Sequence, residues 1–115
     1  MKYMFILTHV EEEWKMGPPD AAELVFQQYM ELERELTAKK KLIASTRLRP
    51  SAEAKTICNL AAGKRTMDDG PWTKTKESMG GFYVLECNSM DEAIEWANRM
   101  PNYGHGAIEI RPIWE

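Results

Sequence analysis

Apolar residues recur along this chain in two rhythms, and the alternation between them lays out the elements. Residues 3–7, Tyr-Met-Phe-Ile-Leu, are continuously apolar and partly aromatic, as a strand in the middle of a sheet should be. Residues 10–17 are polar around Trp14 and end in Gly17-Pro18-Pro19, so they read as a loop with Trp14 as its lid or as a cap on the core. Asp20 and Glu23 then have the spacing of a capping box. Behind them Ala22, Val25, Tyr29, Leu32 and Leu36 recur every three or four residues on one helical face, with Gln27, Glu31, Arg34 and Glu35 mostly on the other. That helix runs into lysines near position 40. Residues 42–48 alternate and stop before Pro50, a second strand.

Two short peripheral strands follow, over residues 55–60 and 65–68. They flank Ala61-Ala62-Gly63-Lys64, where Gly63 can take the positive φ of a tight hairpin. Residues 81–87 are aromatic and β-branched enough for a central strand. Ser89 and Glu92 form a second capping box, opening a helix whose Ala93, Ile94, Ala97 and Met100 face inward and which Pro101 closes. Residues 106–114 set Ile108 and Ile110 against Glu109 and Arg111, with Pro112 directing that part of the last strand to an edge or a bulge.

The order is β-α-β, a hairpin, then β-α-β. It predicts a single α+β domain over residues 1–115, of the ferredoxin-like split βαβ kind, with both helices on one face of an antiparallel sheet. The opposite face would be an apolar surface of a kind that monomers rarely expose, so a homodimer packed through the sheet face is expected.

Composition narrows the function classes. The net charge is -3 over 115 residues, and basic residues are interspersed with acids except at Lys39-Lys40-Lys41. Three lysines at a helix C-terminus answer to the helix dipole, so no nucleic-acid partner is expected. The apolar stretch at the start is far too short for a signal segment or a membrane span, which points to a cytoplasmic protein with no membrane partner. Cys58 and Cys87 each sit in a strand-like run with no C-x-x-C, and read as buried thiols. No metal-ligand spacing, phosphate-binding glycine loop or nucleophile elbow is present, so any chemistry would need no metal or cofactor.

Candidate chemistry gathers in residues 68–83, where Asp68, Asp69, Gly70-Pro71, Trp72, Lys74, Lys76, Glu77 and Gly80-Gly81 occupy one connection between strands. Asp69 either pins the Gly-Pro turn through backbone hydrogen bonds or acts as a base, and His9 at the end of the first strand is its candidate catalytic partner. Trp72, Lys76, Glu77, Tyr83 and Arg111 are candidate ligand-binding residues, with Glu77, Glu109 and Arg111 also able to form a salt-bridged sheet edge. His105 lies in a Gly-His-Gly turn.

Six blocks, Met1-Lys2-Tyr3-Met4, Asp69-Gly70-Pro71-Trp72, Thr75-Lys76-Glu77, Gly80-Gly81-Phe82-Tyr83, Asp91-Glu92-Ala93-x-Glu95-Trp96-Ala97 and Glu109-x-Arg111-Pro112, together resemble the DGPF branch of the YCII-related family, nearly end to end. The resemblance implies ferredoxin-like protomers pairing into a dimeric α/β barrel, and small bacterial cytoplasmic proteins whose biochemistry is mostly unassigned. The chain departs from the pattern at Trp72, where the family turn has phenylalanine, and at Lys74, where an acid often follows. YCII proteins proper carry a histidine on the first helix beside an aspartate; Gln28-Tyr29-Met30 has none. Two function classes stay open. One is a small-molecule-binding protein or cofactor-free enzyme of lyase- or isomerase-like chemistry, with its cleft between the sheet, the first helix and the 68–83 loop. The other is a non-enzymatic accessory or regulatory dimer, linked by family analogy to sigma-factor-dependent transcription.

Overall fold

The computed structural model describes residues 1–61 and 63–115. In chain order the elements are β1 (Lys2–Val10), α1 (Glu11–Met16), α2 (Ala21–Ala38), β2 (Leu42–Arg47), a single 3-10 turn (Ser51–Glu53), β3 (Lys55–Cys58), β4 (Thr66–Asp69), β5 (Glu77–Glu86), α3 (Met90–Ala97) and β6 (Gly106–Pro112). Four strands form one sheet in the order β2-β5-β1-β6, with all neighbours antiparallel. Each strand of the first β-α-β unit is thereby separated from its mate by a strand of the second, and β1 and β5 occupy the centre. Pro112 lies on β6, an edge strand, where its missing N–H costs no ladder bond.

Because side chains alternate across a strand, one face of the sheet presents Tyr3, Phe5, Tyr83, Leu85 and Cys87. These pack with Leu32 and Leu36 of α2, Ala93 and Trp96 of α3, and Met100 into the core. Phe5, Leu36 and Leu85 are completely buried. The other face carries Met4, Ile6, Phe82 and Val84, only half-buried, with no helix over it among the described residues.

Several expectations are corrected locally. The 10–17 segment contains a helix, α1, because Glu11, Glu12 and Glu13 fill its first turn and Lys15 its last, matching the helix dipole at both ends. Asp20 marks the start of α2 without capping it by its side chain, whereas the Ser89 box forms: Ser89 Oγ accepts from Glu92 N at 3.2 Å and Asn88 N donates to Glu92 Oε1 at 2.8 Å. On α3 Trp96, not Ile94, turns inward; Ile94 is 43% exposed. The indole is amphipathic, donating to Glu92 Oε2 at 3.1 Å and lying under the Lys39 and Arg99 side chains. β5 begins at Glu77, earlier than its hydrophobic pattern indicates, since Glu77, Ser78 and Met79 pair with Val10, His9 and Thr8. Cys58 and Cys87 are buried free thiols.

β3 and β4 pair with each other as a separate two-stranded ribbon. Gly63 has φ 73°, as the hairpin requires, and Ala62 of the same turn lies outside the described residues. The ribbon stands away from the main layer as an arm. Its projection raises the radius of gyration to 16.1 Å, against about 13 Å for a compact chain of this length. The principal extents, 47 × 41 × 19 Å, are those of a slab one sheet and one helix layer thick.

Candidate functional site

Between the α2 face of the sheet and the first half of α2 lies an open cleft of about 540 Å³. Its floor is Leu7 and His9 of β1, Gly80, Gly81 and Tyr83 of β5, and Ser45 and Arg47 of β2; its roof is Val25, Phe26, Tyr29 and Glu33 of α2; Trp14 of α1 closes one side. The tyrosines meet as stacked rings, centroids 5.7 Å apart and 17° from parallel. Tyr83 Oη donates to Glu33 Oε1 at 2.7 Å, and Ser45 Oγ donates to the same oxygen at 3.1 Å. Burial pushes the Tyr29 phenol up to about 12, and burial followed by the neighbouring Glu33 carboxylate raises Tyr83 still further. Both therefore remain protonated donors at any physiological pH.

His9 sits where β1 runs into α1. A bulge between Leu7 and Thr8 in the pairing with β5 sets Gly80 beneath the imidazole. Trp14 packs on its other side, ring centroids 5.5 Å apart, and Tyr103 abuts Trp14 edge-on at 6.3 Å. Burial lowers the His9 pKa, with Glu11 opposing and Arg47 reinforcing the shift, so the ring is a neutral imidazole at neutral pH. The flanking helix α1 is tied down on two sides. Glu11 accepts from Ser51 N at 2.8 Å, and Glu13 accepts from His105 N at 2.7 Å while pairing with His105 Nδ1 at 2.6 Å. Trp14 thus folds back as a wall of the cleft, and His105 is a tether for the helix that carries it.

Of the sequence candidates, the structure brings His9 and Tyr83 together in this cleft and leaves the others outside it. Asp69 points outward and pairs with Lys55, so no contact joins it to His9. Trp72 is 72% exposed, and Lys76 and Glu77 are exposed on the same connection. Arg111 is an exposed edge residue whose Nε lies 3.7 Å from Glu109. It stands opposite Met4 while Glu77 stands opposite Val10; six residues of strand, about 20 Å, separate the ends, and the expected three-residue charge network does not form. Of the cleft expected between the sheet, the first helix and the 68–83 connection, the sheet and α2 line the opening, while the connection contributes only its last residues, Met79, Gly80, Gly81 and Tyr83. Glu33, Ser45 and Arg47 were missed. Glu33 follows Tyr29 by one helical turn, which was the available signal. Among the described residues no three His, Cys, Asp or Glu side chains cluster as metal ligands would.

The family model of the YCII-related domain matches residues 1–115. The chain belongs to the YCII-related family. An uncharacterized protein of Rhizobium meliloti (strain 1021) is similar to this YCII-related chain at 34% identity over 93 residues, covering 79% of the chain and 74% of that protein. No helix among the described residues is long and apolar enough to cross a membrane.

Proposed function

We propose that this YCII-related chain, of the DGPF type, is a cytoplasmic homodimer of ferredoxin-like protomers paired through their sheet faces into an α/β barrel, and that it binds a small organic molecule in the α2 cleft. There His9 performs proton transfer without a cofactor. The observation that supports this most is the cleft itself, in which a neutral imidazole, a Tyr83–Glu33 hydrogen bond and the Arg47 guanidinium converge on an apolar wall. A neutral imidazole can take a proton from a carbon or hydroxyl acid, and the Arg47 guanidinium lining the same cleft is a cation that would favour the negative charge so developed. The half-buried Met4, Ile6, Phe82 and Val84 face is what supports the dimer.

A metabolite library screened by thermal shift, with hits mapped by amide and side-chain NMR shifts, tests the reading. The expected hit raises the melting temperature and perturbs His9 and Tyr83, while His9→Asn retains binding and loses turnover. Hits that perturb only the arm or the opposite sheet face would refute it. The regulatory-dimer reading has the arm in its favour, since Ile57 and Met67 are exposed there at 50% and 59%. It gains if no metabolite binds.

A further inference from the structure

The cleft's polar groups are not all satisfied by one another, and the remainder specifies a ligand. Arg49 is engaged by Glu53 at 2.9 Å, and both Glu11 oxygens are taken by Ser51. Arg47 differs. Its guanidinium lies over the Phe26 ring, 5.4 Å from the centroid, with no carboxylate bonded to it among the described residues. The ring holds the planar group in place without neutralising it, and leaves its N–H edges able to grip a carboxylate in the two-pronged manner that suits arginine. On the acidic side, Tyr83 and Ser45 both donate to Oε1 of Glu33, which fixes the carboxylate and leaves Oε2 with no donor among the described residues.

The two unsatisfied ends share one wall. Ser45 and Arg47 both face α2 from alternate positions of β2, which puts them about 7 Å apart along the strand. Their α2 partners, Glu33 and Phe26, are seven residues apart on the helix, about 10 Å along its axis. Tyr29 lies between those two α2 positions and stacks on Tyr83, and Leu7 and Val25 line the same cleft. We infer that the ligand is a small organic acid whose carboxylate pairs with Arg47, whose flat apolar body lies along the tyrosine pair, and whose far end carries a hydroxyl or amine that donates to Glu33. The separation of acid and donor would be roughly 7 to 10 Å. This rests on the reading of the cleft as a ligand site and adds its chemical class.

The test uses para-hydroxyphenylpropionate, which has that span, beside phenylpropionate, which lacks the donor, and para-hydroxyphenylpropionamide, which lacks the charge. Binding is read by NMR titration of the intact protein. The hydroxy acid should bind most tightly, and Arg47→Gln should weaken both acids about ten-fold or more while leaving the amide unchanged. Arg47→Lys should recover only part of the loss, because it restores charge without the fork. Glu33→Gln should abolish the advantage of the hydroxy acid over phenylpropionate, with Ser45→Ala, which leaves the carboxylate in place, keeping it. Failure of the hydroxy acid to bind at millimolar concentration, or equal binding to wild type and Arg47→Gln, overturns the inference. If a neutral or cationic library hit maps to the cleft in its place, the ligand class is wrong and the cleft reading survives; if nothing binds there, both fall.

Discussion

Two adjacent glycines on β5 should respond to the same substitution by different routes and to different degrees. A methyl group on Gly81 would fall inside the van der Waals surface of the Thr46 carbonyl oxygen, a backbone atom of the paired strand β2. β2 would have to draw back by roughly 1 Å to restore ordinary contact, lengthening the ladder bonds on both sides of the site. Overpacking of this kind costs about 1–3 kcal/mol. For a domain of this length that lowers the melting temperature by roughly 5 to 15 °C. A methyl group on Gly80 would instead meet the His9 ring, 2.6 Å from Cε1 and 2.7 Å from Nδ1. A ring can swing where a strand cannot, so Gly80→Ala should cost less than about 1 kcal/mol and push the imidazole out of its niche against Trp14.

Because burial is what holds the His9 pKa down, Gly80→Ala should let it rise toward 6.5, the ordinary histidine value. The sign carries over to stability. In the wild type the unfolded chain binds the His9 proton more readily than the folded one, so this contribution is complete above about pH 6.5 and declines as the pH falls toward the folded-state pKa. Gly80→Ala should flatten that slope. Urea unfolding of both variants, with NMR titration of His9 against His105 in the same spectrum, measures all of this. A Gly81→Ala protein as stable as wild type, or a Gly80→Ala protein whose His9 titrates unchanged, would refute the steric reasoning.

Two further outcomes are expected. Glu92 accepts from Asn88 N and Trp96 Nε1 and pairs with Lys41 Nζ at 2.7 Å, and these partners, the Asn88 amide foremost, bring its pKa down to about 2; its stabilisation is complete above about 4.5 and is lost as pH falls toward 2. Glu92→Gln should therefore cost roughly 1 kcal/mol at pH 7 in urea unfolding, with the difference from wild type vanishing in strong acid. For the proposed homodimer, Val84→Lys on the uncovered sheet face should convert the protein to a monomer in light scattering; a wild type already monomeric at micromolar concentration would exclude the sheet-face pairing.

The layout of the fold could be read in the chain because α2 obeys the helical repeat and the central strands are apolar runs. Val25, Leu32 and Leu36 turn inward where that repeat puts them, and the runs at 3–7 and 81–87 lie in the central strands β1 and β5. The errors arose where one side chain serves two environments. The hydrophobic pattern points to Ile94 and not to Trp96, because an indole that carries cations on its ring has no signature in such a pattern. No apolar stripe marks α1, so the pattern alone reads as a loop; its dipole-matched charges mark the helix. The site was only partly legible for a different reason. Density of polar residues in the 68–83 connection drew the reading there, but convergence depends on which strands are neighbours. Glu33, Ser45 and Tyr83 come from three separate elements that only the sheet order brings into contact.

The sheet order also bears on how the protein is made. β1 leaves the ribosome before the other strands of its sheet, yet both its neighbours, β5 and β6, lie beyond residue 76. Until Glu77–Glu86 has been synthesised the central strand has no backbone to pair with, and Phe5 waits for Leu85 to complete its surroundings. A nascent chain in this condition carries an unpaired, greasy segment until β5 has emerged. Slow elongation over the second half should therefore favour aggregation, and trigger-factor-like holding of the amino-terminal segment should suppress it.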